Sequence, residues 1–531
     1  MVLKRKRKDR RWLRPWACWG LCLLVFGIGA CRPATMKKDA QEPRLFSQTP
    51  LPGEYLENDR GDANVILPGR HWMGVVDEGA GLTFASWRIT AGTQRYCIVV
   101  VCDPPGDRLI LLPLNHDETP LTVLADPLRR QYYQQRLATI RQGGPAQNFE
   151  SGLLISVSLE EAIATKRLGT PLPRPQRVLA VAANFPSHLK QDLAIADPTV
   201  IEALRRTRPR VFVKYPPLLP LDGMTPTENI TGIIGPFDAI RYPSTISVPA
   251  RDENGQPVRV ATRLDYEVEI GIVIGHELAW EDVAEAADGE LYRAVIGYLL
   301  ISDTKARNPQ VVQRIISRER PYPAEPGPYL TGDENIDRRL GFWDRETCRW
   351  WSYAAGWGDF AGMGPFLVAA PQNGALPDRM MLAGRSYARE AVRGRPIPPG
   401  QAVDTLYLRQ SVVVSEEKAY ADRMLWTIPR IIRSILAPDN ALAFLAAPLT
   451  LHPGDIISLG TPGGTVITAK SQTVVNLADA LLFWWEPLDW HDAFFGGSEG
   501  MYLNPGDEVF FWAEGLGYQR HLIAPLDAHG E

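Results

Sequence analysis

Short apolar runs bounded by turn residues dominate this chain, the pattern of strands rather than of long helices. From Arg177 onward such runs are Arg177 to Ala183, Val211 to Tyr215, Leu264 to Ile274, Val295 to Ser302, Thr405 to Val414, Asp455 to Leu459 and Glu508 to Glu514. Ahead of them, Leu82 to Thr90, Tyr96 to Cys102 and Leu109 to Leu112 read the same way. Helical spacing is sparser, at about 126–142, 198–206, 281–287, 309–318 and 427–436. Strands outnumber helices and do not alternate with them, which predicts a β-rich α+β fold and not a doubly wound one. The Pro-rich segment Thr170-Pro-Leu-Pro-Arg-Pro175 reads as a linker. It divides a small N-terminal α+β domain at residues 69–170 from a larger C-terminal domain at 177–523.

The first residues break this pattern. Lys4 to Lys8 is an unbroken basic run, and the apolar stretch Trp16 to Ile28 ends in Ile28-Gly29-Ala30-Cys31. A basic start, a short apolar middle and small residues before a cut describe a secretory signal, and the apolar part is short for a membrane span. The ending resembles a bacterial lipobox, with residues 1–31 as the signal and Cys31 as the lipidated residue. An uncleaved N-terminal anchor is the alternative, and either reading places the bulk outside the cytoplasm, on the periplasmic side of a membrane. Residues 32–68, polar and Pro-rich, read as a tether.

Composition adds a few constraints. With 45% hydrophobic and 22% charged residues the chain is rich enough to bury a core, and 45 Gly with 45 Pro fit a fold with many turns. The formal charge is −4; setting aside residues 1–30, with eight basic side chains and one acidic, leaves 49 basic against 60 acidic, or −11. So acidic a protein is not expected to bind nucleic acid. Beyond Cys31 only Cys97, Cys102 and Cys348 remain, with no zinc-type spacing.

The chemistry concentrates in Leu264-Asp-Tyr-Glu-Val-Glu-Ile-Gly-Ile-Val-Ile274. Read with period two, one face is Leu264, Tyr266, Val268, Ile270, Ile272 and Ile274, plainly core. The other begins with Asp265, Glu267 and Glu269. Carboxylates two apart on a strand lie about 7 Å apart and repel when partly buried; a hard divalent cation relieves them. Taken alone, the segment reads equally well as an edge strand with a solvated acidic face. A second element, Val295 to Arg307, is an apolar strand that ends at Ser302-Asp303. An Asp at a strand end either completes a ligand set or makes a turn.

Together these segments resemble the fumarylacetoacetate hydrolase family, whose signature pairs a D-Y-E-x-E strand with a G-Y-x-x-x-N-D-x-x-A-R strand. Here they are Asp265-Tyr-Glu-Val-Glu269 and Gly297-Tyr298 with Ser302-Asp-Thr-Lys-Ala-Arg307. Val178 to His188, Phe212 to Pro217, Gly364 to Val368, Leu451 to Gly464, Leu503 to Asp507 and Glu514 to Gly517 are similar to further family segments, in the family's order. The resemblance implies a mixed β-sheet roll, allows a homodimer, and implies a metal-dependent hydrolase or lyase. Its substrate would be a small 2-oxo acid or 1,3-dicarbonyl acid, its step C–C cleavage through an enolate. It carries Glu267, Glu269 and Asp303 over as ligands of a divalent cation, Mg²⁺ before Mn²⁺ or Ca²⁺. It also implies His188 as base, Lys214 and Thr461 as substrate contacts, and Arg307 as a salt-bridge partner of the carboxylates.

The sequence departs from the family at four places. Gln191 stands where many members have a Glu that orients the His, so Asp192 takes that part or the pair is impaired. Ala355 falls near a position that often carries a Lys. Ser302 replaces the Asn before Asp303. Residues 465–502 form an aromatic-rich insertion. These departures keep open a second reading, an exported binding or scaffold lipoprotein with impaired catalysis. A third is an envelope or carbohydrate-binding protein with a fortuitous acidic strand.

Overall fold

The computed structural model describes residues 44–45, 81–90, 93–103, 108–143, 154–191, 195, 197–216, 233–252, 254–310, 313, 320–371, 374, 380–389, 405–408, 413–417, 424–445, 448–462, 502–513 and 515–526. The proposed signal with Cys31, nearly all of the tether, Asp192 and the insertion 465–501 lie outside the described residues. In chain order the strands are β1 (Arg44–Leu45), β2 (Thr83–Thr90), β3 (Thr93–Asp103), β4 (Arg108–Pro113), β5 (Ile155–Ser158), β6 (Val178–Val181) and β7 (Val211–Tyr215). They continue with β8 (Ile240–Tyr242), β9 (Thr245–Arg251), β10 (Pro257–Ala261), β11 (Leu264–Ile274), β12 (Val295–Ala306), β13 (Ala361–Ala369) and β14 (Met380–Arg389). The last are β15 (Thr405–Leu408), β16 (Val413–Glu417), β17 (Ile456–Ser458), β18 (Glu508–Ala513) and β19 (Gly517–Pro525).

Ten of these strands form one sheet in the order β5-β4-β3-β2-β13-β12-β11-β17-β6-β7. A second sheet runs β1-β15-β14-β18-β19-β8 with β16 also on β14, and β9 pairs with β10. The β17–β6 and β19–β8 pairs are parallel and the others antiparallel, so the sheets are mixed. The fold is a β-rich α+β fold. β2 joins the sheet through Phe84 opposite Leu367 and Thr83 opposite Val368, so one sheet carries strands from both sides of Thr170–Pro175.

The apolar face of β11 is buried, with Leu264, Tyr266, Val268, Ile270, Ile272 and Ile274 in the largest core cluster. Helix Ile428–Leu436 closes over part of that core. Its Ile428, Ile431, Ile432, Ile435 and Leu436 fall on one helical stripe and are all buried. Helix Arg345–Ala355 caps the edge strand β7 instead of leaving its backbone groups unpaired. Ser352 Oγ accepts from Val213 N at 3.0 Å, and Cys348 Sγ donates to Val211 O at 3.1 Å. No helix among the described residues is long and apolar enough to cross a membrane.

Two expectations about elements change. β12 does not end at Ser302-Asp303 but runs on to Ala306, which puts Asp303 inside a strand. Thr304 and Ala306 are buried and Lys305 finds buried carboxylates, so the polar Asp-Thr-Lys stretch continues the strand. The single run Thr405 to Val414 is two strands, β15 and β16, which pair with different parts of β14.

An ion pair ties β2 to the loop before β8. Arg88 Nη1 and Nη2 donate to the two oxygens of Asp238, each at 2.5 Å, and Gly235 N donates to the same carboxylate at 2.7 Å. Burial pushes the Asp238 carboxyl up, but the Arg88 bonds and charge outweigh it and leave it below its ordinary value. Its contribution is therefore present above the ordinary carboxylate range and is lost as pH falls through the lower folded value. Asp238→Asn is expected to lower stability at neutral pH by about 1 kcal/mol, for a partly exposed pair. The difference between the two proteins should vanish in acid, and denaturant midpoints measured across pH would show it.

Candidate functional site

Period two on β11 puts Asp265, Glu267 and Glu269 on one face, and the antiparallel register of β12 sets charged partners against them. Glu267 lies opposite Asp303 and Asp265 opposite Lys305. β11 is not an edge strand with a solvated acidic face. It is flanked by β12 and β17, and the relative exposures of Asp265, Glu267, Glu269 and Asp303 are 0%, 4%, 1% and 0%. Four carboxylates buried together need partners, because an isolated buried charge costs several kcal/mol.

The partners come from three elements. Arg307 Nε donates to Asp265 Oδ2 at 2.7 Å, and its Nη2 makes a short contact with Glu267 Oε1. Lys305 Nζ lies 2.7 Å from Glu267 Oε2 and 2.7 Å from Asp303 Oδ2. The second of these is an ion contact without hydrogen-bond geometry, so Oδ2 is a buried oxygen with no donor aimed at it. Lys214, from β7, makes a short contact with Asp303 Oδ1 and donates to the carbonyls of Thr304 at 3.1 Å and Ala355 at 3.2 Å. β7 and β12 are four steps apart in the sheet, about 19 Å if it were flat. Their contact requires the sheet to curl into a roll around this cluster.

β17 and the turn after it hold the remaining carboxylate. Ser458 Oγ makes a short hydrogen bond to Glu269 Oε2, and Gly460 N donates to the same oxygen at 3.2 Å. Gly460 has φ +93°, and a Cβ there would come within 2.9 Å of Val181 O and 3.1 Å of Asn184 Cβ. The turn therefore requires glycine. Thr461 follows it, buried, its hydroxyl donating to Pro462 O at 3.2 Å. His188 is buried on the helix Pro186–Gln191, with its ring near enough to Glu267 to bear on that carboxylate's ionisation.

Charge is unevenly shared. Burial pushes Glu267 up, but Lys305 and Arg307 overcome it and hold Glu267 well below the usual range. Among the described residues no basic group is in direct contact with Glu269; burial first and then the neighbouring Asp303 push it well above the usual range. Burial pulls the Lys214 ammonium down, while nearby carboxylates hold Lys305 up against the opposing effect of burial.

These residues fit a divalent cation. Glu267, Glu269 and Asp303 each offer an oxygen, and the three atoms lie within 4.8 Å of one another. Such hard oxygen donors suit Mg²⁺, Mn²⁺ or Ca²⁺. An added positive charge would relieve Glu269 and engage the unbonded Asp303 Oδ2. Sequence reasoning did not assign roles to Lys305, Ser458 or Gly460. Lys305 was detectable, two residues from Asp303 and hence on the same face; Ser458 and Gly460 required the β11–β17 register.

Fold and site define a β-rich protein whose curled sheet buries an oxygen-rich candidate cation site. The sequence model of the C-terminal domain of fumarylacetoacetate hydrolase matches residues 178–524. The chain belongs to the fumarylacetoacetate hydrolase family. Among solved structures it is similar to the fumarylacetoacetate hydrolase of psychrophilic Exiguobacterium antarcticum, at 16% identity over 84% of this chain and 99% of that one, with a TM-score of 0.43. It is also similar to the 5-carboxymethyl-2-hydroxymuconate delta-isomerase of Mycobacterium smegmatis, at 17% identity over 84% and 99%, TM-score 0.37. A third is the maleylpyruvate hydrolase of Sphingobium sp. SYK-6, at 16% identity over 83% and 99%, TM-score 0.38. No curated protein sequence matches the chain.

Proposed function

We propose that this protein is a divalent-cation-dependent hydrolase or lyase that cleaves a C–C bond in a small 2-oxo acid or 1,3-dicarbonyl acid. The observation that carries the reading is the convergence of Glu267, Glu269 and Asp303 within 4.8 Å in a buried setting. Membership of the fumarylacetoacetate hydrolase family supports it. Glu267, Glu269 and Asp303 would hold the cation, most suitably Mg²⁺, which when bound supplies electrostatic stabilisation of negative charge developing on substrate oxygen. His188, beside Glu267, moves a proton to or from water or the substrate carbon. Asp192 remains the proposed acidic companion of His188. Arg307 fixes Glu267 and Asp265. Lys214 spends its three donors on Asp303 and two carbonyls, so it positions Asp303 instead of contacting substrate. Thr461, next to the Gly460 N–H that binds Glu269, keeps its proposed place against the substrate.

A second reading, a cation-binding family member without turnover, draws on one observation: Ala355, near the position where family members often carry a Lys, offers the site only its backbone carbonyl, which accepts from Lys214. The protein loaded with Mg²⁺ or Mn²⁺ is expected to consume an acylpyruvate or oxaloacetate, followed by the enol absorbance, and to lose that activity on chelation. Cation binding without turnover of either substrate class would favour the second reading.

A further inference from the structure

Both oxygens of Glu267 and both oxygens of Asp303 are already in contact with positive side chains. Glu267 meets Arg307 through Oε1 and Lys305 through Oε2; Asp303 meets Lys214 through Oδ1 and Lys305 through Oδ2. Lys305 differs from the other two cations in what it bridges. Arg307 bonds one candidate ligand together with Asp265, and Lys214 bonds one together with two backbone carbonyls. Lys305 alone touches two of the three residues expected to hold the metal, each at 2.7 Å.

Lys305 is only 2% exposed, and its ammonium lies over the Phe212 ring, 5.3 Å from its centroid. Among the described residues no backbone carbonyl accepts a hydrogen bond from it, in contrast to Lys214. A compact point charge on a flexible four-carbon stem, seated between two carboxylates, has the position and the charge of a small monovalent cation. A divalent ion coordinated by oxygens of Glu267 and Asp303 needs the space that this ammonium occupies between them and the Glu267 Oε2 lone pair that it uses.

We propose that Lys305 is a built-in competitor for the cation site: its ammonium neutralises Glu267 and Asp303 in the metal-free protein and must be displaced when a divalent cation binds. The inference rests on the metal-dependent reading of the same three carboxylates. Its first consequence is that the protein folds without metal, because the buried carboxylates have a resident counter-charge. Its second is that divalent-cation affinity is held down by Lys305 and rises when that charge is removed.

The test is Mn²⁺ binding to the full chain and to Lys305→Met, Lys305→Gln and Lys305→Arg, by calorimetry and by the electron paramagnetic resonance of free Mn²⁺. Lys305→Met and Lys305→Gln are expected to bind Mn²⁺ at least about tenfold more tightly than the parent, since a like charge has left the site. Lys305→Arg keeps the charge and is expected to show no such gain. Should the neutral variants be too unstable to titrate, the Mn²⁺-induced rise in melting temperature replaces the affinity, and it should be larger in Lys305→Gln than in the parent. Equal or weaker Mn²⁺ binding by folded neutral variants of a parent that does bind overturns the competitor role and leaves the proposed function standing. Failure of every protein, parent included, to bind Mn²⁺ at millimolar concentration overturns the metal-dependent reading, and the competitor role with it.

Discussion

Asp303→Asn is expected to lower the stability of the metal-free protein by about 3–5 kcal/mol and to abolish divalent-cation binding. The magnitude follows from what remains after the change. Asp303 is fully buried and takes contacts from two ammonium groups, Lys214 on Oδ1 and Lys305 on Oδ2. Removing one partner of a buried charge pair leaves the other uncompensated, which costs more than the pair itself contributes. Lys305 retains Glu267, but Lys214 keeps only the carbonyls of Thr304 and Ala355. The double variant Asp303→Asn with Lys214→Met should therefore recover part of the loss, because the stranded ammonium is gone. Denaturant midpoints give the stability and calorimetry the binding. A loss under about 1 kcal/mol together with intact Mg²⁺ binding would remove Asp303 from both roles, against the cost expected for an unpaired buried charge.

The part of this site that sequence made visible is the part set by one strand. Alternation along Leu264–Ile274 separates Tyr266, Val268 and Ile270 from Asp265, Glu267 and Glu269, and β11 keeps that division. The two Pro-Gly-Asp segments, Pro453–Asp455 and Pro505–Asp507, are likewise local in their chemistry. Asp455 Oδ2 accepts from His452 N at 3.0 Å and Asp507 Oδ2 from Asn504 N at 2.8 Å, each closing a turn on its own backbone. What periodicity could not supply is register and curl. That Asp303 faces Glu267, and that Ser458 reaches Glu269, depend on how three strands align. That Lys214 reaches Asp303 depends on a roll closing across four sheet steps. Asp303 misled at the level of the element as well: Ser302-Asp-Thr-Lys305 has turn-like composition, yet Ser302 Oγ accepts from Gly362 N at 3.0 Å and stays inside the sheet. A segment rich in polar residues reads as a strand end until the buried partners of those residues are known.

His188→Gln is expected to reduce kcat/KM on a 2-oxo acid by about 10²–10⁴-fold, the usual contribution of a positioned acid or base, while leaving cation affinity nearly unchanged. The placement of His188 supports that separation. It lies on the helix Pro186–Gln191, just beyond a turn in which Ala183 takes a left-handed φ of 56°. For a residue with a Cβ that conformation costs about 1–2 kcal/mol, so the surroundings must hold it. Asn184 does so, donating from Nδ2 to Leu459 O at 2.8 Å and accepting at Oδ1 from Trp426 N at 3.0 Å. The same Leu459 precedes Gly460, whose N–H binds Glu269, so the imidazole and the carboxylate cluster are fixed to one another through a single turn. His188 influences Glu267 but is not one of the three clustered ligand residues, and its loss should therefore spare the cation. Single-turnover rates, measured beside Mn²⁺ titrations of the same protein, divide the outcomes. A slow variant with parent-like binding assigns His188 to proton transfer, parent-like turnover removes it from the reaction, and lost Mn²⁺ binding would make it a ligand or a support of one.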